Sequence, residues 1–177
     1  MLRHDSVRDY AAVGPQRLAD AYELLEQPTW ENSADDAGHR HLRAAVYLAG
    51  YAVECALKAY IVSREFPGDR SGRRTLSETI VRRTQRGDAP QLSGRRTHNL
   101  TLLLRASHLE RAMEHNERIK RQWGMLLKWD PDWRYNPRPY TDRSAARTLV
   151  DAAAALHDWI SSRRTATKED SDGGNEL

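Results

Sequence analysis

Glu54 and Lys58 stand one helical turn apart inside a run that is otherwise apolar. Between Ala44 and Val62 no other charged residue occurs. A carboxylate in such surroundings needs an opposite charge or hydrogen-bond donors, because an isolated buried charge is expensive. Two readings fit the spacing. The pair can be an ordinary ion pair at the edge of a helical bundle, or an anchor that orients a cation at a shared site. His98 is the next residue with usable chemistry, in the segment Arg95-Arg96-Thr97-His98. It can cap or pack a short helix. It can contact a phosphate beside Arg95 and Arg96 at a helix start, where backbone N–H groups point outward. It can also act as a general acid or base. Arg134 and Tyr135 belong to the stretch WDPDWRYNPRPY. They fit either a turn packed by Trp129 and Trp133, with Arg134 paired to a carboxylate, or a cleft mouth with Arg134 near Glu54 and Tyr135 as a wall.

Other chemistries are poorly served. His39 and His41 would splay apart on a helix, and Cys55 has no second cysteine. No phosphate-binding glycine loop, nucleophile elbow or HExxH pair occurs. Neither a metal nor a cofactor is expected.

The elements that must hold these residues read as helices. Leu18, Ala21, Tyr22 and Leu25 form a one-sided stripe after Gly14-Pro15, which is expected to open the first helix. Ser33 is expected to cap a long helix that runs to about Glu65 and stops at Pro67-Gly68. On that helix Ala44, Leu48, Tyr51, Cys55, Ala59 and Val62 share one face. Ala45, Ala49, Ala52 and Ala56 form a second face suited to close approach. Glu54 and Lys58 lie on a strip between them. A helix apolar nearly all round is a core helix or a membrane span, and two charges within it favour the core. Residues 66–97 read as an irregular basic excursion, with a short helix around Leu76, Ile80 and Val81; RNA phosphate contact and a plain solvated loop are both open for it. Thr97 can cap a short leucine-rich helix. A polar helix over about 108–128 buries Leu109, Met113, Trp123, Leu126 and Leu127. A last helix starts near Asp142 and ends near Arg164. The fold class is all-α, an antiparallel bundle of four to five helices. It is divided into an N-terminal arm at 1–13, a domain at 14–164, and a disordered acidic tail at 165–177.

At 177 residues, one domain is expected, large enough to need no staple. The single cysteine excludes a disulfide framework, and the N-terminus shows no secretory signal, so a cytoplasmic setting is expected. The formal charge of +3 is too small to identify a partner.

The helix containing GYAVECALKAY resembles the central helix of HEPN domains (higher eukaryotes and prokaryotes nucleotide-binding). His98-Asn99-Leu100 opening a leucine-rich helix, the Trp129 to Tyr135 stretch and the closing alanine-rich helix follow in the order of that family. Together they cover roughly residues 15–164. The resemblance implies a helical bundle, commonly a homodimer, associated with nucleotides or RNA. It also implies a toxin–antitoxin or defence setting, or a nucleotidyltransferase partner. Many members are metal-independent ribonucleases whose signature is an Arg followed by a His with four to six residues between. None of the seven His residues here has that spacing. Arg96–His98, Arg105–His108 and Arg111–His115 are too close, and Arg147–His157 too far. The expected function is therefore a non-catalytic module binding a nucleotide, RNA or a protein partner. Its site would comprise Tyr51, Glu54, Lys58, Arg95, Arg96, His98, Arg134 and Tyr135. The alternatives are a divergent ribonuclease using His98 and Arg134, and a purely structural helical subunit.

Overall fold

Short polar side chains decide where most helices of this chain begin. The computed structural model describes residues 5–27, 37–87, 92, 94–127, 129–132 and 142–172, with side chains for all of these except 37–40, 95 and 166–172. Helix α1 spans Val7–Glu26. The Ser6 hydroxyl accepts from the Asp9 N–H at 3.2 Å, and the Asp9 carboxylate accepts from the Ser6 N–H at 3.2 Å. This capping box starts the helix well before Gly14-Pro15, so most of the expected N-terminal arm is helical. Pro15 lies inside α1, where it forgoes one hydrogen bond. Gly14 serves packing: a Cβ there would lie 2.8 Å from His157 Nε2 and 3.5 Å from the Ala52 carbonyl oxygen.

Helix α2, Ala37–Glu65, is the central element. The expected cap at Ser33 lies outside the described residues. Ala45, Ala49 and Ala52 are fully buried and Ala56 is 4% exposed. This small-residue face packs inside the chain. Residues His41–Glu65 are long and apolar enough to cross a membrane, but 83% of their most apolar window is buried within the protein. A core helix has this character.

Helix α3, Leu76–Gln85, opens with a second capping box, from Thr75 and Glu78. The excursion after α2 is thus partly ordered by a Thr-x-x-Glu signal. The two capped starts are tied together: Val7 N–H donates to Arg74 O at 3.0 Å, and Leu76 N–H to Asp5 O at 3.2 Å. Glu65, at the end of α2, receives Arg82, Arg83 and Arg86 at 3.2, 3.2 and 2.7 Å. Arg74 and Arg82 also cover the Phe66 ring, at 4.9 and 5.2 Å from its centroid.

A 3-10 turn, Gly94–His98, leads into α4, Leu100–Ser107. Asn99, rather than Thr97, caps α4 by accepting from Leu102 N–H at 3.0 Å. The expected helix over 108–128 is divided into α5, Glu110–Glu114, and α6, Glu117–Leu126. Asn116 caps α6 through Ile119 N–H at 3.1 Å, which ends α5 first. Leu127, expected in the core, is 60% exposed.

Helix α7, Arg143–Asp172, begins on Asp142, whose carboxylate accepts from Ser144 N–H at 2.8 Å. It continues beyond the expected boundary at 164. The intervening residues include good helix formers, and the first breaker is Gly173-Gly174. Paired contacts fix the helix directions. Tyr10 meets Lys58 and Gly14 meets Ala52, so α1 and α2 are antiparallel. Glu26 meets Arg147, Tyr22 meets Asp151 and Gly14 meets His157, so α1 and α7 are antiparallel too. Helices α2 and α7 therefore run the same way. The fold is all-α, with seven α-helices and no strand among the described residues.

Candidate functional site

The burial of α2 determines the chemistry of its two charges. Lys58 Nζ donates to Glu54 Oε1 at 2.6 Å, and their side chains are 6% and 0% exposed. The pair is therefore a core feature and not an ordinary surface ion pair. Lys58 Nζ also lies 5.4 Å from the centroid of the Tyr10 ring, a cation–π contact delivered by α1.

The 3-10 turn delivers the third group. His98 Nδ1 lies 2.9 Å from the same Glu54 oxygen, across 44 positions of sequence. In the tautomer that makes this bond, Nδ1–H donates and the Glu54 carboxylate accepts. That hydrogen bond fixes the ring and its tautomer. Nε2 is then the nitrogen left for exchange, and the His98 side chain is 48% exposed. Glu54 Oε2 is buried with no hydrogen-bond partner among the described residues.

Tyr10, Cys55 and Tyr51 beside the pair stay neutral near pH 7. Burial, followed by the negative field of Asp5, pushes the Tyr10 hydroxyl well above its ordinary 10.0. Burial pushes the Cys55 thiol to about 12, with the Glu54 charge adding to it. Tyr51 also rises to about 12, through burial first and then Cys55 and Glu54.

His98 opens onto a cleft of about 660 Å³. One wall comes from the turn and the start of α4: Gly94, His98, Asn99, Leu100 and Thr101. The other comes from the end of α6 and the residues after it, chiefly Trp123, Leu127, Trp129, Asp130 and Asp132. Trp129 anchors this second wall. Its indole Nε1–H donates to Tyr47 O at 3.2 Å, and its ring occupies the space that a side chain at Gly50 would need. Tyr51, Tyr47 and Trp129 form a ladder with centroid spacings of 6.4 and 6.2 Å. Asp130 Oδ1 accepts from Asp132 N–H at 2.7 Å and shapes the turn.

Of the residues expected in the site, Glu54, Lys58 and His98 converge. Tyr51 supports the aromatic ladder but does not line the cleft. Arg96 is exposed on the turn and is absent from the lining, and only the backbone of Arg95 is described. Arg134 and Tyr135 lie outside the described residues. The described partners of Glu54 Oε1 are Lys58 and His98. Asn99, Trp123, Asp130 and Asp132 also line the cleft, beyond the residues expected there. The WDPD run carries two carboxylates beside a tryptophan, a signal that only the folded turn converts into a wall.

The first wall of the cleft contains the start of α4. The amides of Leu102 and Leu103 are bonded to Asn99, at 3.0 and 2.9 Å. The two amides before them belong to Leu100 and Thr101, which line the cleft. A helix start of this kind attracts negative charge, and His98 is its neighbour. No group of three or more metal-ligating side chains occurs among the described residues. Compared with known proteins, the chain matches no family model, no curated protein and no solved structure.

Proposed function

We propose that this protein is a non-catalytic, HEPN-like helical module that binds the phosphate of a nucleotide or an RNA end in the cleft beside His98. One observation carries the reading: the contact of His98 Nδ1 with buried Glu54 Oε1 at 2.9 Å, at the edge of that cleft. The dyad holds an imidazole in one orientation next to the start of α4. When Nε2 carries a proton it can donate to a phosphate oxygen, while Nδ1 stays bonded to Glu54. The resemblance of the α2 sequence to the HEPN central helix points to the same ligand class.

Calorimetric titration with ATP and with a short single-stranded RNA tests the proposal. Binding should weaken by about tenfold or more in His98→Ala, the scale of one charge-assisted hydrogen bond. Unchanged binding in that variant would remove His98 from the site.

The orientation of His98 also favours a second reading, a metal-independent ribonuclease with His98 as proton carrier. It requires a cation to stabilise the phosphorane-like charge. No Arg or Lys occurs among the described residues lining the cleft. Incubation of labelled RNA in a chelator distinguishes the readings, since the second demands a cyclic phosphate product that disappears in His98→Ala.

A further inference from the structure

The two walls of the cleft differ in electrical character. The first presents His98 and the start of α4. The second presents the carboxylates of Asp130 and Asp132, both exposed, beside the apolar surfaces of Leu127 and Pro131. A phosphate is held by the first wall and repelled by the second. A ligand that fills both must therefore carry its anion at one end and hydrogen-bond donors at the other. Its flat middle would lie against the apolar surfaces. The volume of about 660 Å³ falls in the range of small-molecule sites and accommodates a mononucleotide.

The donor requirement selects among bases. An ionised carboxylate only accepts hydrogen bonds, and its two oxygens match two donors side by side. Guanine presents N1–H and the N2 amino group next to each other on its Watson–Crick edge. Adenine and cytosine each place an acceptor beside their amino group, and uracil flanks its single N–H with two carbonyls. Any of these three would set a lone pair against a carboxylate oxygen. Asp130 is already committed through Oδ1 to the Asp132 N–H. The Asp132 side chain has no hydrogen bond or ion pair to another described residue.

We infer that the cleft prefers a guanine nucleotide, with Asp132 reading the base and His98 with the start of α4 holding the phosphate. This rests on the phosphate-binding reading above and adds the identity of the base. The experiment is calorimetry of the full chain with GMP and with AMP, repeated for Asp132→Asn and His98→Ala, with circular dichroism to verify that each variant is folded. GMP should bind about tenfold or more tightly than AMP, the scale of one bidentate base contact. Asp132→Asn should reduce GMP affinity by a similar factor while AMP changes by less than about twofold. His98→Ala should weaken both. Equal affinities for GMP and AMP, both reduced in His98→Ala, would overturn the base preference and leave the phosphate site standing. A GMP preference that persists in Asp132→Asn would overturn the role of Asp132. Absence of binding by either nucleotide, together with absence of RNA binding, would overturn both readings.

Discussion

Trp129 rests on Gly50, with its indole in the space where any side chain at position 50 would project. This contact joins the second wall of the cleft to the central helix, one turn before Glu54. Gly50→Ala should therefore push Trp129 away and break its bond to Tyr47 O. The expected loss of stability is about 1–3 kcal/mol, typical of overpacking. Chemical unfolding measures it, and ligand titration should show weaker binding in the same variant. Wild-type stability and binding in Gly50→Ala would mean that the ring is not seated there.

Lys58 is the principal counter-charge of Glu54, whose carboxylate is fully buried. Lys58→Met should leave that carboxylate with His98 alone, at a cost of about 3–5 kcal/mol. Adding Glu54→Gln should recover part of the loss, because the stranded charge is then gone. Urea unfolding of the single and double variants forms the test. A double variant less stable than Lys58→Met would contradict the pairing.

Cys55 faces reagents only when α2 opens. Its thiol is buried and raised to about 12, so the thiolate is scarce at pH 8. Iodoacetamide should leave the native protein unmodified and label it fully in denaturant, as read by intact mass. Rapid native labelling would show that the core around Glu54 is open.

Glu65 should mark the acid limit of the α2–α3 junction. Burial raises its pKa, but the hydrogen bonds from Arg86 and Arg83 outweigh this, so the folded value lies below 4.5. The unfolded chain then binds the proton more readily. The stabilisation is complete above the unfolded value and fades as pH falls through the folded one. Glu65→Gln should cost on the order of 1 kcal/mol at pH 7, since its arginines are partly exposed. The difference from wild type should shrink below pH 4.5. A difference independent of pH would assign the effect to packing.

The all-α class and the central helix were legible because α2 is apolar on nearly every side and ends before Pro67-Gly68. The Glu54–Lys58 pair was legible for the same reason, since two charges in such a run must be compensated. The sequence marks His98 as chemically usable, but its bond to Glu54 joins residues 44 positions apart, and periodicity carries no information about that distance. Gly14-Pro15 misled because the pair also suits a helix start, whereas here Gly14 admits the edge of His157. Ser6-x-x-Asp9 and Thr75-x-x-Glu78 were readable capping signals that the composition of their surroundings obscured. Asp130 and Asp132 gain meaning only through the turn that Trp129 anchors.

The seam at Gly14 also bears on how the chain is made. Helices α1 and α2 are translated before α7 and can pair as a hairpin, but His157, which lies over Gly14, is translated 143 residues later. Until α7 emerges, the hairpin displays the apolar surface that α7 will cover. During that interval the nascent chain keeps its eventual interior partly uncovered, a state in which exposed apolar surface invites aggregation. Cells that overproduce this protein should hold chaperones on it until α7 is complete.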